Sequence, residues 1–360
     1  MQSISTYGYY LAALGAQPRL ERRDFSIDSV EDDHVVIEVA GCGLCHTDLG
    51  FIGGAVKTRQ PLALILGHEI SGRVVAAGTR ASDWVGASVI VPAVLPCGEC
   101  ALCVDGRDNI CQRQKMPGND FNGGFAAHVV VPARYLCRLP SDLRGHTLAE
   151  LSVIADAVTT PYQALKRSGL KSGDLAIVVG VGGVGVYMVQ HARAAGSTVI
   201  ALDVSDRKLE TARAQGASYV LNVRDLGPKE IKEKIRGWVA QDRLPKYQWR
   251  IFETSGTTAG QSTAFSLLSF AGSVSIVGFT MEALSVRLSN IMAFDADLIG
   301  NWGCRPAYYP NVVELVLSEK IRIKENVQTF PLDSINEVLS DALAHKIERR
   351  PVLVPAKNNR

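Results

Sequence analysis

DLAIVVGVGGVGVYMVQHARAAGSTVIALD, residues 174–203, decides the fold of this chain. An apolar run, LAIVV, stops at a glycine cluster, a longer apolar-periodic stretch follows, and a second β-branched run ends on an acid. That order is strand, turn, helix, strand, the unit from which parallel sheets are built. Gly180, Gly182 and Gly185 have the G-x-G-x-x-G spacing, with Val184 inside it. The first glycine permits a tight turn, the second lets backbone approach a pyrophosphate, and the third lets helix and strand pack closely. The helix N-terminus then supplies N–H donors and positive dipole to phosphate. Asp203, 18 residues past Gly185, is placed to accept from adenosine ribose hydroxyls and to repel a 2′-phosphate, which favours NAD over NADP. The competing readings are a glycine turn that binds nothing and an Asp203 that caps a helix. Arg207 and Lys208, shortly beyond, leave some room for NADP.

Working outward, SYVLNV, WRIFETSG and GSVSIVGF continue the alternation of short apolar strands with helical stretches, as expected for a sheet covered on both faces. Upstream, HVVIEVA (34–40) and SVIVPAV (88–94) read as β-branched strands with Gly67, Gly72 and Gly78 between them. The expectation is an α/β protein of two domains. A β-rich domain spans 1–157 and is completed by 297–360; a doubly wound parallel-sheet domain spans 158–296. SVSIVGF (273–279) is expected late in that sheet, where pairing of edges would give a homodimer or homotetramer.

Composition narrows the classes. The chain has 360 residues, 47% hydrophobic and 21% charged, with a net charge of +2 and acids and bases interleaved, so nothing in it suggests a polybasic surface for nucleic acid. The start, MQSISTYGYYLAALGA, has no basic residue before its apolar stretch and reads as neither signal nor transit peptide. The longest apolar stretch, 175–189, is short and glycine-rich for a membrane span. A cytoplasmic location is expected, and there eight cysteines are metal ligands or buried thiols rather than disulfides.

Two clusters fit metal chemistry. PCGECALCVDGRDNIC carries Cys97, Cys100, Cys103 and Cys111, four soft ligands suited to a closed tetrahedral zinc with a structural role; an iron–sulfur cluster or four free thiols are the alternatives. CGLCHTDLG (42–50) offers Cys45, GHE (67–69) offers His68 and Glu69, and ADAVTTPYQAL offers Asp156. One thiolate, one imidazole and one carboxylate would leave a fourth position for water or substrate, as a catalytic zinc needs. Spacing alone leaves open a core histidine at 68, a turn residue at 156, and a Cys42–Cys45 redox pair.

GCGLCHTD, GHEISGRVVAAG, the four-cysteine stretch, GVGGVG with Asp203, and the closing PVLVP together resemble the zinc-dependent medium-chain alcohol dehydrogenase family. The resemblance implies a GroES-like catalytic domain with a Rossmann coenzyme domain inserted, NAD as coenzyme, and two zinc ions per chain. It implies that Cys45, His68 and Asp156 ligate the catalytic zinc, Asp156 standing where many relatives have cysteine. Glu69 is implied as an acid able to exchange onto the metal, Asp48 as the acid orienting the histidine, and Thr47 as the hydroxyl that bonds the alcohol and begins proton removal. Lys208 is implied to help Asp203 hold the ribose, Val277 and Gly278 to meet the nicotinamide, and Arg305 to contact the pyrophosphate. Cys42 is no ligand in that pattern. Gly50 stands where several relatives have a proton-relay histidine, so proton exit must use water or another group. More narrowly, KMPGNDFNGGFAAHVVVPA (115–133) and SVIADAVTTPYQAL (152–165) resemble the 6-hydroxycyclohex-1-ene-1-carbonyl-CoA dehydrogenase branch of anaerobic benzoyl-CoA degradation. That implies a cyclic secondary alcohol on a CoA thioester, with Lys57, Arg59, Arg113 and Lys115 as candidate phosphate contacts or as solvated loop charges.

Overall fold

In the computed structural model, residues 2–14 and 19–356 are described; Met1, residues 15–18 and residues 357–360, including the outer ends of the expected first domain, lie outside them. Along the chain come β1 (Ile4–Leu11), β2 (Leu20–Ile27), β3 (His34–Gly43), α1 (His46–Ile52), β4 (Leu64–Ile65), β5 (Glu69–Ala77), β6 (Ser88–Val91), α2 (Ala101–Val104), β7 (His128–Pro132), β8 (Cys137–Arg138) and α3 (Thr159–Ser168). Then follow β9 (Leu175–Val179), α4 (Gly185–Ala194), β10 (Thr198–Asp203), α5 (Asp206–Ala214), β11 (Tyr219–Asn222), α6 (Pro228–Gln241), β12 (Arg250–Glu253), α7 (Thr258–Ser266), β13 (Ser273–Ile276), α8 (Ser289–Phe294) and β14 (Asp297–Gly300). The last are α9 (Tyr309–Leu317), β15 (Val327–Pro331), α10 (Ile335–Leu343) and β16 (Arg350–Val354).

Two compact units result: one holds residues up to Thr159 with Gly303–Glu319 and the stretch from Ile323 onward, the other holds Thr160–Trp302 with Lys320–Arg322. In the first unit β15-β16-β3-β5-β6-β8 form a sheet, β7 also pairs with β3, and β2-β1-β4 form a second, three-stranded sheet. The end of β3 is a junction, with Gly43 opposite Glu69 on β5 and opposite Val352 on β16. Residue 43 must be glycine there, because a Cβ would lie 2.1 Å from the Glu69 Oε2. Irregularities between Val36 and Ile37 and between Val39 and Gly41 bend β3 just before this junction.

The second unit is one parallel sheet in the order β11-β10-β9-β12-β13-β14. All five residues of β9 are buried, and alternation sends Ala176 and Val178 to one face and Leu175, Ile177 and Val179 to the other. The first face packs Met188 and Val189 of α4 with Leu209 and Ala212 of α5; the second packs Ile231 and Ile235 of α6 with Ala264 and Phe265 of α7. This is why LAIVV reads as continuously apolar. The chain order reverses between β9 and β12, and in such sheets ligands bind at the carboxyl ends of the strands at that crevice.

Two expectations need correction. Residues 297–300, expected with the first domain, form β14 and pair in parallel with β13. The strand at 273–276 is therefore interior, and β14 is the outer strand of the sheet. The misleading signal was polarity: β14 is mostly exposed, and so lacks the apolar run that marked the buried strands.

Candidate active site

The β3 junction brings three distant segments together, because Cys45 lies two residues past Gly43, His68 one residue before Glu69, and Arg350 at the start of β16. Cys45 precedes α1, and its amide donates to Asp48 Oδ2 at 2.9 Å. The other Asp48 oxygen accepts from Gly67 N at 3.1 Å and stands 3.3 Å from His68 Nδ1. One fully buried carboxylate thus ties the two segments together and stands beside the imidazole. His68 Nε2 is 3.7 Å from Asp156 Oδ2, and Cys45 Sγ is 3.8 Å from the same oxygen. Donor atoms of Cys45, His68, Glu69 and Asp156 all lie within 4.8 Å of one another.

Burial alone would push the His68 pKa down, but Asp48, Asp156 and Cys45 outweigh it and hold the imidazole well above its ordinary value. A proton there neutralises acids that a divalent cation would neutralise better. With N, O and S donors at these separations, the set fits a zinc with bonds of about 2.0–2.3 Å. Cys45 and His68 are buried, whereas the Asp156 side chain is 19% exposed, so the cluster opens on the side of Asp156. Thr47, exposed on the first turn of α1, has its hydroxyl 3.7 Å from Cys45 Sγ.

Glu69 is fully buried and its two carboxylate oxygens accept from Nε and Nη2 of Arg350. Sequence reasoning missed Arg350, which is separated from Glu69 by 281 positions and is attracted also by Cys45 and Asp156. Cys42 is buried against Gly67 and Gly124 and belongs to neither metal cluster, and all eight cysteines are free thiols, so there is no Cys42–Cys45 disulfide.

Around α2, the four other cysteines converge, with Sγ–Sγ distances of 3.5 Å (97–111 and 100–103), 3.7 Å (100–111) and 3.9 Å (97–103). Tetrahedral zinc with Zn–S bonds of about 2.3 Å sets sulfurs about 3.8 Å apart, far beyond a disulfide bond. The backbone N–H of Glu99 is the largest of several donors that pull the Cys97 thiol down to about 6. Cys100 is lowered as well, whereas burial and then the neighbouring Cys100 push Cys103 up to about 12, so Cys97 and Cys100 are the members predisposed to lose protons to a metal.

In the second unit Gly180 has φ +87°, and a Cβ on it would lie 2.5 Å from Ser255. A Cβ on Gly185 would strike the Gly180 carbonyl, whereas at Gly182 the space is open and the nearest atom is Lys208 Nζ, 3.9 Å away. That opening suits close approach of a phosphate to backbone. Asp203 ends β10, and its oxygens accept from Val181 N at 2.8 Å and Ser205 N at 3.0 Å, which ties the acid to the glycine turn. The cap of α5 is Ser205 instead. Val277 and Gly278 both donate backbone N–H to the Glu253 carbonyl. The Glu253 side chain, a second residue missed in sequence, is fully buried and accepts from Ser255 N and Gly256 N, so it shapes the same end of the sheet.

Residues 31–141 match the alcohol dehydrogenase GroES-like domain, and residues 183–318 match the zinc-binding dehydrogenase domain. The chain is 30% identical over 338 residues to an alcohol dehydrogenase of Geobacillus stearothermophilus, covering 93% of this chain and 96% of that one. The chain belongs to the zinc-type medium-chain alcohol dehydrogenase family. It is an enzyme, an oxidoreductase acting on alcohols, of a family whose cofactors are zinc and a nicotinamide dinucleotide. A relative at 29% identity is the D-arabinose 1-dehydrogenase (NADP(+)) of Saccharolobus solfataricus, with 93% of this chain and 94% of that one covered. The alcohol dehydrogenase structure from Aeropyrum pernix superposes with a TM-score of 0.86 at 29% identity, covering 97% of this dehydrogenase and 100% of that chain.

Two positions of the dehydrogenase stand apart. Arg305 lies in the first unit, with Nε 2.7 Å from Asp108 Oδ1, so any pyrophosphate contact would compete with that pair. At Gly50 a Cβ would meet only Val56, at 4.0 Å, so the position has open space beside α1. Among the described residues no helix is long and apolar enough to cross a membrane.

Proposed function

We propose that Cys45, His68 and Asp156 hold a catalytic zinc and that Cys97, Cys100, Cys103 and Cys111 hold a structural one, the protein oxidising a secondary alcohol to a ketone with NAD. The observation that carries this reading is the convergence of a buried thiol, a buried imidazole and a part-exposed carboxylate, with Asp48 behind them. Zinc there supplies a Lewis acid that lowers the pKa of an alcohol hydroxyl toward neutrality. Asp48 keeps His68 turned for ligation. Glu69, bonded by Arg350 through both oxygens, balances charge beside the cluster and is the acid able to exchange onto the metal. The exposed Thr47 hydroxyl would accept the alcohol proton as it gives its own to water, and the open space at Gly50 leaves room for solvent where a relay side chain is absent. Bound NAD would supply the acceptor for the carbinol hydrogen with its electron pair, which leaves the ketone. Gly180, Gly182, Val184 and Gly185 seat the pyrophosphate, Asp203 and Lys208 the ribose, and Val277 and Gly278 the nicotinamide.

The finer substrate reading is 6-hydroxycyclohex-1-ene-1-carbonyl-CoA. Its support is the resemblance over residues 115–133 and 152–165 together with nearby cations. Arg59 is paired with Asp120 and Arg113 with Glu99, whereas Lys57 and Lys115 make no ion pair among the described residues, which leaves them for phosphate. The test is formation of reduced coenzyme from this thioester, from cyclohexanol and from simple secondary alcohols, each with NAD and with NADP. The expected result is a kcat/KM for the thioester at least about 100-fold above cyclohexanol, since binding energy from the CoA portion is available to the reaction, with NAD preferred. Activity confined to the simple alcohols rejects the CoA substrate, and equal use of NADP rejects the role of Asp203.

The same reading includes a homodimer formed through β14. Its outer side pairs with no described strand, and Leu298, Leu288 and Met292 on or beside it are exposed. Such an edge is a template for an isologous copy. Light scattering should give a dimer or a tetramer for the wild type and smaller particles for Leu298→Glu/Met292→Glu; a monomeric wild type contradicts it.

A further inference from the structure

A cavity lies wholly in the second unit, at the amino-terminal ends of β12, β13 and β14, whereas the glycine turn and Asp203 lie at carboxyl ends of the same parallel sheet. Its volume is about 320 Å³, within the range of small-molecule sites. Three cations line it, Lys232 and Arg236 from α6 and Lys246 from the following loop, and no carboxylate does. The Lys232 ammonium is held by the carbonyls of Ser266 (3.1 Å) and Leu268 (2.9 Å), and burial followed by the neighbouring Arg236 lowers its pKa. Among the described residues the side chains of Arg236 and Lys246, both exposed, make no hydrogen bond or ion pair. The repulsion that Arg236 exerts on Lys232 has no counter-ion among the lining residues.

The rest of the wall is aromatic. Phe270 stands edge-on to Tyr247 (5.8 Å) and to Phe294 (5.1 Å), and Lys232 Nζ is 5.7 Å from the centre of the Phe294 ring. Tyr247 and Phe270 are more than half exposed although they flank a buried core, the condition of a site that lacks its occupant's apolar surface. Cations without counter-ions beside ring edges and faces select a planar ring that carries negative charge. We propose that this cavity is a second binding site, separate from the alcohol and coenzyme sites, for an aromatic anion: an aryl carboxylate or an aryl phosphate.

The test is calorimetric titration of the zinc-loaded, NAD-saturated enzyme with benzoate and with phenyl phosphate, alongside inorganic phosphate and neutral benzamide. Binding of at least one aryl anion at one site per chain is expected, at least about tenfold tighter than inorganic phosphate or benzamide; which aryl anion binds better identifies the acid group. In Arg236→Gln/Lys246→Gln, both exposed positions, that affinity should fall at least about tenfold while alcohol turnover stays unchanged and reports intact folding. The proposal is overturned by any of three results: no saturable binding of either aryl anion at millimolar concentration, equal binding of inorganic phosphate, or undiminished affinity in the double variant.

Discussion

Asp156→Ala is expected to lower turnover with alcohol and NAD by at least about 1,000-fold, which is about 4 kcal/mol of lost transition-state stabilisation, while thermal unfolding changes little. The carboxylate lies within 3.8 Å of both His68 Nε2 and Cys45 Sγ, so on the proposed ligand set its removal leaves two protein donors for a cation that needs three. Asp156 is also the most exposed member of the cluster, which keeps the packing cost of truncation low. Asp156→Cys separates ligation from shape, because a thiolate is an equally competent zinc donor. It should retain turnover within about tenfold of wild type if ligation is what counts. Steady-state kinetics on the two variants decides: equal, severe losses would assign Asp156 to packing, and full turnover in the alanine variant would remove it from the site.

Arg350→Met is expected to destabilise the first unit by about 3–5 kcal/mol, the usual cost of leaving a buried charge without its partner. Glu69 is wholly buried and both its oxygens are satisfied by this one guanidinium, so no water can replace it cheaply. Burial pushes the Glu69 pKa up, and Arg350 is the largest influence opposing that. Differential scanning calorimetry of the zinc-loaded protein should show a fall of about 10 °C in the transition of that unit. Glu69→Leu/Arg350→Met should recover most of the loss, since replacing both partners with apolar groups removes the desolvation penalty. A double variant as unstable as the single one would show that the arginine acts through its packing rather than through the pair.

The parts of this protein that were legible in its sequence are those whose physics is local. The glycine turn needs a positive φ at Gly180 and close packing at Gly185, and both requirements fall within six residues of β9 and α4. The cysteine cluster is equally local, spread over one loop and one short helix. Asp48 and His68 could be matched to a family pattern because each lies in a compact motif. Arg350 could not, because its meaning depends on β16 lying against β3 opposite β5, a pairing that spans most of the chain. β14 is not legible because a mostly exposed edge strand lacks the apolar run of the buried strands, so the sequence places it with the returning segment. Glu253 escaped for a related reason: an acid at the end of an apolar strand reads as a solvated terminus until the loop that folds back over it is seen.

The most direct test of the whole account is the zinc content of the purified chain, measured by mass spectrometry of the metal in wild type and in Asp156→Ala. Two zinc ions per chain in the wild type and one in the variant, with the four-cysteine ion retained, is the predicted result. One zinc per chain in both proteins would contradict a catalytic zinc held by Cys45, His68 and Asp156.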